Sequence, residues 1–130
     1  MGKKILIVDD DPDVREFNRA IVEENGYVPL TAGNGVEGME VIKKEKPDLV
    51  VLDILMPRES GIRLYRELKT SKKLKDIPVI VLSGIAEKSF QRSQKALVEF
   101  GEETVPEPQA YLEKPVEPEE LAEAIKKIIG

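Results

Sequence analysis

The run Leu49-Val50-Val51-Leu52, held between Asp48 and Asp53, constrains this chain more than any other stretch. Four consecutive apolar residues do not alternate as a strand with one wet face would. They read instead as a strand covered on both sides, the pattern of a central strand in a parallel sheet. Asp53 then stands at the strand's carboxyl end. In open parallel sheets that edge is where loops and helix starts converge and where ligands bind. A carboxylate there is costly unless something pairs with it.

The remaining segments supply the layers such a strand needs. Lys3 to Val8 reads as a first strand, followed by Asp9, Asp10 and Asp11. Pro12 suits a first helical position with Asp11 as its cap, Val14, Phe17 and Ile21 recur at helical spacing, and Asn25-Gly26 ends the helix. Tyr27 to Thr31 is a second strand, and Pro29 places it at a sheet edge because proline cannot donate to a ladder. Asn34 with Glu37 resembles a capping box, ahead of a helix with Val36, Met39 and Ile42 inward. After Asp53 come a Pro57–Gly61 loop and a helix to about Ser71 with Leu64, Tyr65 and Leu68 inward. Ile77 to Leu82 is a fourth strand, ending at Ser83-Gly84. A helix from Glu87 to Phe100 has Phe90, Leu97 and Phe100 facing in. The acidic stretch 101–108, with Pro106 and Pro108, reads as a loop. Gln109 to Leu112 is a fifth strand. Pro118 opens a last helix whose early Glu119 and Glu120 and late Lys126 and Lys127 match the macrodipole. Strict alternation predicts one doubly wound α/β domain over residues 1–130, with helices on both faces of a five-stranded parallel sheet.

Composition removes several chemistries. The chain has no cysteine and no histidine, so it holds no disulfide, no thiolate metal site and no imidazole acid or base. It cannot carry a phosphohistidine itself. Twenty basic and twenty-five acidic residues leave a net charge of −5, which argues against direct nucleic-acid binding. No apolar run is long enough to span a bilayer, and the start lacks a signal peptide's apolar stretch, so a cytoplasmic setting without membrane insertion is expected. Neither a G-x-G-x-x-G nor a P-loop pattern occurs.

Parallel strands put their carboxyl ends on one edge. Asp9-Asp10, Asp53, Ser83-Gly84 and Lys114-Pro115 would therefore meet there. Taken singly, each has a plain structural reading: helix-start carboxylates, an Asx turn, a serine-glycine turn, a solvated lysine. Together they form a cluster of three carboxylates, one hydroxyl and one ammonium. Crowded carboxylates repel, and a hard cation such as Mg²⁺ with oxygen ligands would relieve them. A carboxylate beside a metal and an ammonium suits nucleophilic attack on a phosphoryl group.

At this point the chain resembles the receiver domain of two-component response regulators, chemotaxis-protein-like, over essentially its whole length. The resemblance rests on Ile5-Leu6-Ile7-Val8-Asp9-Asp10-Asp11-Pro12, Asp48 to Asp53, Met56-Pro57 with Gly61, Ser83-Gly84, and Tyr111-Leu112-Glu113-Lys114-Pro115. It implies a flavodoxin-like strand order 2-1-3-4-5. It implies Asp53 as phosphoacceptor, Asp10, Asp53 and the Leu55 carbonyl as Mg²⁺ ligands with Asp9 helping through water, and Lys114 as the phosphoryl partner. Ser83 and Tyr111 become switch residues, and the Lys114-Pro115 peptide is expected to be cis. The expected role is a stand-alone phosphoacceptor rather than an enzyme acting on other molecules, catalysing its own phosphorylation and dephosphorylation. A sensor histidine kinase or histidine phosphotransfer protein would supply the phosphoryl group. The face built by the fourth helix, fifth strand and fifth helix would signal to a downstream protein or to a second copy in a phosphorylation-dependent homodimer. Leu55 and Ile85 flank the water path in this family; both are apolar here, implying slow loss of the phosphoryl group. The stretch 101–108 is longer than the family pattern, as output surface or as tolerated insertion. Two alternatives stand beside this reading: a degenerate receiver used only for binding, and an aspartyl-phosphate hydrolase. The latter wants an aspartate where Leu55 stands.

Overall fold

In the computed structural model, which describes residues 2–130, the elements alternate strictly. They are β1 (Lys4–Val8), α1 (Pro12–Glu24), β2 (Val28–Ala32), α2 (Gly35–Glu45), β3 (Leu49–Asp53), α3 (Ser60–Thr70), β4 (Val79–Ser83), α4 (Glu87–Glu99), β5 (Ala110–Glu113) and α5 (Pro118–Ile129), with a 3₁₀ turn at Pro57–Glu59. All strand pairs are parallel, in the order β2-β1-β3-β4-β5. This is the doubly wound, flavodoxin-like arrangement expected from the sequence.

The continuous apolar runs feed two cores because successive strand residues point to opposite faces. Leu6, Val8, Val50, Leu52, Val79 and Val81 pack under Met39 and Ile42 of α2, Leu64, Tyr65 and Leu68 of α3, and Phe90 of α4. Ile5, Ile7, Leu49, Val51, Ile80 and Leu82 pack under Ile21 and Val22 of α1 and Leu121 and Ile125 of α5. Register then fixes the edge: Val8 pairs with Leu52, Asp53 with Leu82, and Ser83 with Glu113. The residues that follow each strand are thereby brought to one side of the sheet.

Local chemistry sets the helix starts. The Asp11 carboxylate accepts from the Asp13 and Val14 amides at 2.9 and 3.3 Å, with Pro12 inside the first turn. Asn34 caps α2 by accepting from the Glu37 amide at 2.9 Å. Glu37 reaches back to the Gly33 amide at 3.3 Å, one residue upstream of a regular capping box. Pro29 costs the sheet no hydrogen bond. The Val28 amide donates inward to Lys3, so the next nitrogen, that of Pro29, faces the open edge. Lys69 is buried on α3, and its ammonium donates to the Lys75 and Ile77 carbonyls at 3.2 and 2.9 Å, tying down the turn into β4. Burial holds its pKa below the usual lysine value.

Three expected core positions are exposed instead. Phe17 is 54%, Val36 72% and Phe100 89% exposed. Helix α1 turns Asn18, Ile21 and Val22 inward, so Phe17 lies off the buried stripe. Val36 sits in the first turn of α2, beyond the reach of the sheet, and Phe100 follows the last turn of α4. Helix α4 is seated through Phe90, its one buried residue.

The N-termini of α2 and α3 meet closely. A Cβ on Gly35 would stand 2.4 Å from the Ser60 carbonyl oxygen, whereas one on Gly84 would meet nothing within 4 Å. Gly35→Ala should therefore lower stability by about 2 kcal/mol in urea unfolding, the usual cost of overpacking. Gly84→Ala should stay within about 0.5 kcal/mol of the parent. Equal costs would mean that the α2–α3 approach is not tight.

Candidate functional site

The carboxyl edge of the sheet gathers charge that the core cannot neutralise. Asp9 is 2% and Asp53 6% exposed, while Asp10 lies open beside them. One carboxylate oxygen from each of the three falls within 4.8 Å of the others. Lys114 Nζ stands 3.6 Å from Asp9 Oδ2 and 3.6 Å from Asp53 Oδ2. Those separations are ion-pair contacts longer than a charge-assisted hydrogen bond. A single ammonium thus faces two buried carboxylates.

Backbone contacts fix both acids. The Asp9 amide donates to Ala32 O at 3.1 Å, and the Arg15 guanidinium donates to the Asp9 carbonyl at 2.8 Å. Asp9 Oδ1 accepts from the Asp11 amide at 2.9 Å, but its buried Oδ2 has no hydrogen-bond partner. Asp53 Oδ1 accepts from the Leu55 amide at 3.0 Å. Gly61 lets α3 close on the strand end: a Cβ there would stand 2.6 Å from the Asp53 and Ile54 carbonyls. Burial pushes the Asp53 carboxyl up to about 6 against the pull of Lys114, and Asp9 and Asp10 push the same way as burial.

On the next strand, the fully buried Ser83 accepts at Oγ from the Ile85 amide at 3.1 Å, and its carbonyl accepts from the Lys114 amide at 2.7 Å. The Lys114-Pro115 peptide is cis. Tyr111 is half-buried and donates its hydroxyl to the Ile85 carbonyl at 2.8 Å. Burial raises the Tyr111 phenol above its ordinary pKa.

All the residues expected at this edge are there. Asp9, Asp10 and Asp53 cluster, Lys114 reaches Asp9 and Asp53, Ser83 ends the adjacent strand, and Leu55 adjoins through its amide. A buried carboxylate oxygen that accepts no hydrogen bond, beside two further carboxylates, suits a hard divalent cation such as Mg²⁺. Sequence reasoning did not anticipate Arg15, which braces the Asp9 peptide from the end of the first turn of α1. It also did not anticipate Arg58 and Glu59, whose φ values of 59° and 57° bend the loop beside Asp53. No residue-type signal marks either, since left-handed conformations favour glycine or asparagine.

Comparison with known proteins gives the family and the fold. The family described as "Response regulator receiver domain" matches residues 5–126. The polar-differentiation response regulator DivK of Brucella anthropi is 30% identical over 100% of this chain and 98% of its own length. The phosphate regulon regulator PhoB of Pseudomonas aeruginosa is 36% identical over 99% of this chain and 52% of its own. The chain spans 38%, 52% and 35% of the length of three of the curated relatives it matches. Among solved structures, the signal receiver domain of a histidine kinase from Syntrophus aciditrophicus superposes with a TM-score of 0.82 at 31% identity, covering 98% of this chain and 90% of that one. The chemotaxis protein CheY4 of Vibrio cholerae shares the fold with a TM-score of 0.83 at 23% identity, covering 99% and 100%.

The Asp53 environment has a stability consequence with a definite sign. Its folded pKa, about 6, lies above the reference 3.8, so the native state binds more protons between those values. Without metal, stability therefore falls as pH rises through that window. Asp53→Asn should be more stable than the parent at pH 7 by on the order of 2 kcal/mol, and the gap should close below about pH 4. Urea titrations in chelator at both pH values test this; a gap that does not change with pH would remove the ionised Asp53 as its cause.

Proposed function

The chain belongs to the response regulator receiver family, and from that premise we propose that Asp53 accepts a phosphoryl group from a phosphohistidine on a partner protein. The observation that carries the reading is the cluster of three carboxylates at the carboxyl edge of the sheet, two of them within ion-pair distance of one ammonium. An Asp53 carboxylate oxygen attacks phosphorus in line. As the new O–P bond forms, the P–N bond to the donor imidazole breaks, and the imidazole nitrogen keeps the electron pair and takes up a proton. The Lys114 ammonium compensates charge on the transferring oxygens, and Asp9 holds Lys114 within reach. Bound Mg²⁺, held by Asp10, Asp53 and the Leu55 carbonyl with Asp9 helping through water, would supply further charge neutralisation at those oxygens.

Ser83 and Tyr111 are assigned as the pair that responds to the phosphoryl group, Ser83 as the hydroxyl nearest the strand end and Tyr111 through their shared neighbour Ile85. The output face is α4, β5 and α5. A sensor kinase or phosphotransfer protein is the donor, and the reader is a downstream protein or a second copy of the chain. The protein is read as a signalling phosphoacceptor that also assists its own dephosphorylation, acting in the cytoplasm. Among the described residues no helix is long and apolar enough to cross a membrane.

Given Mg²⁺ and acetyl phosphate, the parent should gain one phosphoryl group by mass spectrometry and Asp53→Asn none; equal labelling would remove Asp53 from its role. Mg²⁺ should raise the melting temperature of the parent by mass action on the native state, and Asp10→Ala should lose most of that rise. Leu55 is 51% exposed beside the acceptor and offers no group to orient an attacking water. Its replacement by asparagine should speed decay of the phosphoryl group several-fold, roughly the worth of one hydrogen bond. An unchanged decay rate would assign the lifetime to other groups.

A further inference from the structure

Residues 101–108, which lead from α4 to β5, are held from two helices at once. From α3, the Tyr65 hydroxyl donates to the Pro106 carbonyl and the Arg66 guanidinium donates to the Glu103 carbonyl. From α4, Gln91 Nε2 donates to Glu107 Oε1 at 3.0 Å, and Gln94 accepts from Arg66. Val105 packs against the apolar core beneath. A tolerated surface insertion would need none of these contacts.

Tyr65 also begins a line of aromatic rings. Its ring meets Phe90 edge-on with centroids 5.9 Å apart and planes at 80°. Phe90 lies 5.5 Å from Tyr111. The Tyr111 hydroxyl donates to the Ile85 carbonyl, and the Ile85 amide donates to Ser83 Oγ. Because Phe90 is the one buried residue of α4, the rings of Tyr65 and Tyr111 on either side of it govern where that helix sits.

We propose that the 101–108 segment is a latch for Tyr111. Closed onto Tyr65 and Arg66, it holds Phe90 and α4 in the place that keeps Tyr111 turned toward Ile85. Tyr65 and Phe90 are then positioning residues for the Ser83–Tyr111 pair. The inference rests on the phosphoacceptor reading of Asp53 and adds a control to it. On that reading the phosphoryl group favours Tyr111 turned toward Ile85, the arrangement that the latch already populates. The latch and the phosphoryl group are then coupled reciprocally, each favouring the other.

Tyr65→Phe removes the latch hydroxyl and keeps the ring that packs on Phe90. Labelling of Asp53 by acetyl phosphate with Mg²⁺ should slow about fivefold, the equilibrium worth of one hydrogen bond. In metal-free protein, amide exchange should quicken in residues 85–90 and 104–107. In a Tyr111→Ala background, the same substitution should change labelling by less than about 1.5-fold, because the path to Ser83 is already cut. Arg66→Gln, on the exposed side of the latch, should act in the same direction and carries the test if Tyr65→Phe folds poorly. A parent that labels normally while both variants match it overturns the latch alone. So does a loss of equal size with and without Tyr111. A parent that takes no label overturns the phosphoacceptor reading and the latch together.

Discussion

Two buried carboxylates facing one ammonium form the constraint on which the rest of the structure depends. Asp9 and Asp53 are fixed by backbone amides at strand ends, so they cannot move apart to relieve their repulsion. Lys114 reaches both, but at 3.6 Å it compensates each only in part. The β3 run buries its acid, the parallel register brings Asp9 at the end of β1 alongside, and α3 closes over the strand end at Gly61. Burial and the neighbouring carboxylates raise the free energy of the ionised site, and Lys114 offsets part of that. An added cation or phosphoryl group with its own charge balance finds an arrangement already organised for it.

The two faces of the sheet are anchored unequally. Helices α1, α2 and α5 each contribute at least two buried side chains, and α3 contributes four. Helix α4 rests on Phe90 and on polar contacts to the segment that follows it. Elements with little buried apolar area are those most readily displaced in the native state. The element beside Ser83 is thus also the one whose position costs least to change, which is the property a response to chemistry at the sheet edge requires.

Much of this was legible in the sequence because the signals were physical and local. Continuous apolar runs gave the buried strands, Pro29 gave the edge strand, and Asp11 and Asn34 gave helix starts that the structure reproduces. The site was legible because parallel topology alone carries Asp9, Asp53 and Lys114 to one edge. Periodicity failed in two ways: Phe17 fits helical spacing but lies off the buried stripe of α1, and Val36 and Phe100 sit at helix ends, where the fit to spacing buries nothing. It was also silent on side chains that act on main-chain atoms. Arg15 on the Asp9 carbonyl and Tyr65 on the Pro106 carbonyl depend on tertiary placement, and a carbonyl oxygen leaves no trace in residue identity. The 101–108 stretch read as a loop and is one, but its hold on α3 and α4 is a property of the folded chain only.

The outward-facing nitrogen of Pro29 has a consequence for how copies of this protein can meet. The open edge of β2 lacks a donor at Pro29, its second residue, so an incoming strand would lose a rung of its ladder there. At the opposite margin, β5 is four residues long. Neither border is a good template for extending the sheet from one molecule into the next. Association between copies is thereby steered toward helix faces, where contacts are made by side chains and can be undone. The same proline works against the irreversible cross-strand stacking that leads to fibrils.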